Sequence, residues 1–173
     1  MSVQRSDQLL ALLHREGFEF VVIGGVAAIA HGASRSTRDL DVVAPFTPEN
    51  LQHLLDALGP HGVKHFTRQD LGCVAQSARE LSAFRVLLLE SDLGRLDVLR
   101  EVPPIGPHER VESVEMELVE GLRSRVISLD QLIEVKAWLT RPQDKDVERE
   151  LRAIRELRAQ SSSALGPDAP TGA

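Results

Sequence analysis

A chain of 173 residues is the size of one domain, and a 42% hydrophobic content is enough to give it a real core. Five Phe, one Trp and no Tyr leave that core to be built from Leu, Val, Ile and Ala. The single cysteine, Cys73, excludes an intrachain disulfide framework, and a net charge of −6 speaks against a surface that is basic throughout, though not against a local basic site. No apolar run approaches the roughly 18 residues of a membrane span. The N-terminal stretch is amphipathic and charged, without the apolar centre of a signal peptide, so a cytoplasmic protein is expected.

Residues 6–16 place Leu9, Leu10, Leu12 and Leu13 at helical spacing, and Gly17 ends that helix. "FEFVVIGG", residues 18–25, reads as a strand stopped by Gly24 and Gly25. The Ala-rich "VAAIAH" is a short helix ending at Gly32, "SRSTR" a polar loop, and "RDLDVVAPF" a second strand closed by Pro45. In "TPENLQHLLDALG", Thr47 is an N-cap, Pro48 takes the first helical position and Asn50 the third. Residues 61–83 carry no clear pattern. Residues 84–91 and 94–102 read as two strands joined by a tight turn at Asp92–Gly94. A short helix near 108–113 and a hairpin turning at Gly121 and Leu122 follow. Two helices come next, 129–139 capped by Ser128 and 144–158 after Pro142. The order predicts a mixed α/β (α+β) fold, a central sheet of four or five strands flanked by helices. It is one domain over 1–158, with a core about 6–102, a C-terminal hairpin and helices about 108–158, and a disordered tail over 159–173.

The chemistry gathers in "VVIGGVAAIAHGASRSTRDLDVV", residues 21–43. Side chains alternate along a strand, so Asp39 and Asp41 share a face, about 7 Å apart. Two carboxylates in apolar surroundings repel each other, and a divalent cation is the economical partner. Asp97, between Leu96 and Val98, has the setting of a third carboxylate on a neighbouring strand. Gly24 and Gly25 would let backbone N–H groups approach a phosphate at a helix N-terminus. Arg35 and Arg38 could reach phosphate oxygens, and Ser34, Ser36 and Thr37 add hydroxyls. Plainer readings stand beside these. The aspartates also fit a solvated edge-strand face, the glycines a tight turn, Arg35 and Arg38 ordinary loop charges, and Lys136 a salt bridge on an amphipathic helix. The six histidines form no zinc pattern.

The segment "IGGVAAIAHGASRSTRDLDVV", with the later aspartate in "GRLDVL", resembles the signature of the DNA polymerase β-like nucleotidyltransferase superfamily. Its "R-x-T-x-D-L-D" form looks most like the minimal nucleotidyltransferases and the abortive-infection-type toxins of bacterial toxin–antitoxin systems. "VISLDQLIEVKAWLTRPQDKDVEREL" resembles their C-terminal part, with Lys136, Arg141 and Asp144 at the matching places. The resemblance implies a two-metal Mg²⁺ site at Asp39, Asp41 and Asp97. Asp97 would help position or deprotonate an attacking hydroxyl, and Gly24, Gly25, Ser34, Arg35, Thr37, Arg38 and Lys136 would bind nucleotide. It implies transfer of an NMP from an NTP to a hydroxyl on a protein, an RNA or a small molecule, and an antitoxin as a protein partner. One position departs from the pattern: many members have serine directly after the first glycine, where this chain has Gly25. That departure keeps open a second reading, a nucleotide-binding or protein-interaction module without turnover.

Overall fold

The structure, a computed structural model, describes residues 4–67 and 74–164; Arg68, Cys73 and the segment beyond 164 lie outside the described residues. The first helix, α1 (Ser6–Arg15), buries Leu9, Leu10, Leu12 and Leu13 on one side. It leads to β1 (Val21–Ile23), whose three residues are all buried, as expected of a strand covered on both faces. Helix α2 (Gly24–His31) starts directly at the double glycine and ends at Gly32 in the left-handed conformation. The glycines therefore form the first turn of a helix rather than a link ahead of it. Strand β2 (Leu40–Val43) and helix α3 (Pro48–Leu58) follow. Thr47 caps α3 by accepting from the Asn50 N–H at 3.2 Å. The Asn50 side chain in turn bonds the backbone of Glu19 and Pro45, tying the start of α3 to the approach to β1.

The unpatterned stretch holds a 3₁₀ turn at Gly59–His61, strand β3 (Lys64–His65) and helix α4 (Ala78–Leu81). Each is too short to show a hydrophobic period, which is why sequence reading finds nothing there. Strands β4 (Val86–Ser91) and β5 (Gly94–Leu99) form the expected hairpin. A two-stranded ribbon, β6 (Glu101–Val102) with β7 (Gly106–Pro107), and a 3₁₀ turn at His108–Arg110 lead to β8 (Ser113–Val119) and β9 (Leu122–Ile127). Helix α5 (Leu129–Trp138) is capped by Ser128, and α6 (Pro142–Ala164) closes the described chain.

The main sheet runs β3-β4-β5-β2-β1-β9-β8, seven strands rather than four or five. The shortfall has two causes: β3 has only two residues, and the β8–β9 hairpin joins the sheet through a parallel pairing of Val22 with Val126, about a hundred positions apart. Among the described residues four neighbouring pairs are antiparallel and two, β2/β5 and β1/β9, parallel. The fold is thus mixed α/β with helices flanking a central sheet, as expected. Leu132, Ile133, Val147 and Leu151 of α5 and α6 belong to the same apolar core as β1 and β2, so the C-terminal helices are built into one body with the sheet. Helix α6 also differs in extent. It starts at Pro142, where a missing N–H costs nothing, and continues to Ala164 with Ser161 and Ser163 donating back to the carbonyls of Leu157 and Ala159. Residues 159–164, expected to be disordered, are helical.

Candidate active site

Three pieces of chain meet at the end of β1. The turn from β1 into α2 brings Gly24 and Gly25, the loop before β2 brings Thr37 and Asp39, and the parallel β2/β5 ladder places Asp41 beside Asp97 as register partners. A carboxylate oxygen from each of Asp39, Asp41 and Asp97 lies within 4.8 Å of the other two. Apolar residues fix this arrangement. Leu40 and Val42 are fully buried on one face of β2, and the strand's alternation turns Asp41 to the other.

Burial, with the negative charges of Asp39 and Asp97 beside it, pushes the Asp41 carboxyl up to about 6, against the opposing pull of the Gly25 N–H and Lys136. Asp97 is raised in the same direction by burial, opposed by Arg95 and reinforced by Asp39. The Gly25 N–H thus acts on the Asp41 carboxyl, so this part of the helix N-terminus faces a carboxylate. Gly24 has a φ of +63°, and a Cβ there would overlap the Asp41 carboxylate, so both backbone and space require glycine. The three carboxylates fit a divalent cation of the oxygen-preferring class. Every donor is a hard oxygen, and Asp97 Oδ1 is buried with no hydrogen-bond partner.

A cavity of about 500 Å³ opens over this face. The α5–α6 corner lines it as well, with the apolar Leu132 and Val135 and the polar Lys136, Arg141 and Asp144. Lys136 Nζ donates to Asp144 Oδ1 at 2.7 Å, and both side chains are nearly buried, at 13% and 10% exposure. The loop from 33 to 38 is held against α6: the Ser34 N–H donates to Glu150 at 2.7 Å, and Arg35 lies 3.8 Å from Asp146.

Of the expected site residues, Asp39, Asp41, Asp97, Gly24, Gly25, Arg35, Thr37 and Lys136 all line this one cavity. Ser34 and Arg38 do not; both are exposed, and Ser34 is turned to α6 by its backbone bond. Lys136 lines the cavity and also forms the salt bridge that the plainer reading expects. A large RNA acceptor would need a local basic patch, for which the sequence offers Arg35, Arg38, Lys64, Arg68 and Lys136; Lys64 sits apart from the cavity, on the edge strand β3 beside Glu90, and Arg68 lies outside the described residues. Sequence reasoning missed Arg95. Its guanidinium stacks 3.8 Å from the centre of the Phe66 ring and lies 4.0 Å from Asp97 Oδ1. The signal was there in "RLD": a residue two before Asp97 on a strand must share its face.

No protein-family model and no curated protein matches the sequence. Solved structures do match the fold, which is that of the nucleotidyltransferases. The lincosamide antibiotic adenylyltransferase LnuA, solved with lincomycin bound, is similar over 89% of this chain and 99% of its own, with a TM-score of 0.59 and 14% identity. ANT(2'')-Ia, solved in complex with adenylyl-2''-tobramycin, is similar over 93% of this chain and 97% of its own, with a TM-score of 0.56 and 15% identity.

Proposed function

We propose that the protein is a Mg²⁺-dependent nucleotidyltransferase that moves an NMP from an NTP to a hydroxyl acceptor. The observation that carries this reading is the convergence of three carboxylates from β2, its preceding loop and β5 on one cavity of a nucleotidyltransferase fold. Asp39, Asp41 and Asp97 would hold the metal, which supplies neutralisation of charge developing at the α-phosphate. Arg35 and Arg141 line the same cavity and can take phosphate oxygens. Asp97 would also help position or deprotonate the attacking hydroxyl. The acceptor oxygen then bonds to the α-phosphorus, the α–β phosphoanhydride bond breaks, and pyrophosphate leaves with the electron pair.

The two neighbours act on or carry small hydroxyl-bearing antibiotics, and a small-molecule acceptor is the form of the reading they favour. The likeness of "RSTRDLD" to the abortive-infection-type toxins supports a place in a toxin–antitoxin pair, with a protein or RNA acceptor, an antitoxin partner and a cytoplasmic location. One experiment separates these. NTPs labelled at the α- or the γ-phosphate are offered with Mg²⁺ and, in turn, small polyhydroxy compounds, RNA and bacterial protein. Transfer of α-label only, absent from D39N and D41N, is expected. Transfer of γ-label, or α-transfer that survives both substitutions, would contradict the proposal.

A further inference from the structure

The first glycine of α2 is explained by its φ and by Asp41, but Gly25 is not: its backbone is ordinary helix, and another residue would adopt it. Space explains it. A Cβ on Gly25 would come to 2.7 Å from Thr37 Oγ1 and 2.8 Å from Thr37 Cβ. Thr37 therefore occupies the volume into which any side chain at position 25 would grow. From that place its hydroxyl lies 3.1 Å from both Asp39 Oδ1 and the Asp39 backbone oxygen. Asp39 precedes β2 and so lacks the ladder bonds that fix Asp41 and Asp97. The Thr37 hydroxyl is the hydrogen bond that fixes it.

We propose that Thr37 is a positioning residue for Asp39, and that position 25 is glycine to make room for it. The inference rests on the metal-site reading above and assigns Thr37 a role different from direct contact with nucleotide. The hydroxyl holds Oδ1, and Oδ2 would then be free to take the cation. Partners that orient a metal-bound carboxylate in this way are worth about 10- to 100-fold in metal affinity. Gly25 acts at one remove: it touches neither Asp39 nor the cation, yet a methyl group there must displace Thr37.

The test is Mn²⁺ binding, followed by the electron paramagnetic resonance signal of the free ion and by calorimetry. The proteins are wild type, T37V, T37S, G25A and D41N, with melting in EDTA as the check on folding. T37V keeps shape and removes the hydroxyl; T37A takes its place if T37V does not fold. The expected result is a loss of about tenfold or more in T37V, a similar loss in G25A, and recovery to within about threefold of wild type in T37S. A purely structural role would lower all three melting points without this order of affinities. Wild-type Mn²⁺ affinity in T37V would overturn the role of Thr37 while leaving the carboxylate site in place. Wild-type affinity in G25A would overturn the pairing of the two positions. Failure of wild type to bind Mn²⁺, or binding that D41N leaves intact, would overturn the site itself and this inference with it.

Discussion

At the scale of single residues the site is defined by charges held together at a cost. Asp41 has its carboxyl pushed up to about 6, so the folded state binds that proton more tightly than the unfolded chain does. The associated stability is fully present below about pH 4 and is lost as pH rises to about 6. Without metal at pH 8, D41N is therefore expected to be more stable than wild type by about 1–2 kcal/mol, measured by denaturant unfolding; a less stable D41N would contradict the electrostatic account. On the proposed reading Mg²⁺ would reverse the sign: it would bind the ionised carboxylates, so its stabilisation of wild type should grow between about pH 5 and pH 8 and be absent from D41N. G24A should fail differently, because the methyl group meets the Asp41 carboxylate and the backbone is strained. A loss of about 2 kcal/mol or more, with loss of metal binding, is expected.

At the scale of elements, side chains buried between elements join the C-terminal helices to the site. Lys136 of α5 and Asp144 of α6 form a nearly buried pair, and breaking it leaves one charge uncompensated. D144A is expected to destabilise by about 3 kcal/mol, whereas K136M/D144L should recover most of that loss; equal stability of all three by chemical denaturation would show that the pair holds nothing together. His31 ends α2 and bonds the Ile127 carbonyl at the end of β9 at 2.8 Å, and burial holds its imidazole below the usual histidine range. Because the folded pKa is depressed, this histidine's contribution is present above about pH 6.5 and is lost as pH falls through the folded value. H31Q should flatten the acid limb of the stability curve. These links show what a sequence does and does not display. Helices such as 48–58 are legible because cap, proline and period all sit within a dozen residues. The β4–β5 hairpin is legible because its turn is local, and Asp97 stands out as a carboxylate between apolar neighbours. The Asp41–Asp97 register, the Val22–Val126 pairing and the Lys136–Asp144 contact depend on packing, which no short window records.

At the scale of the molecule, sheet order turns scattered motifs into one site. Placing β2 between β1 and β5 sets the double glycine on one side of Asp41 and Asp97 on the other. Folding α5 and α6 back onto the same core closes the cavity over them. On the proposed reading, the parts that would grip a metal-bound triphosphate then come from one chain. The most direct test of that account is calorimetric titration with each of the four NTPs, with and without Mg²⁺, comparing wild type with D39N/D41N. The account expects at least one NTP to bind wild type only when Mg²⁺ is present, and the double variant, still folded, to bind none. Binding that ignores Mg²⁺ or survives loss of both aspartates would contradict it, and so would a wild-type protein that binds no NTP at all.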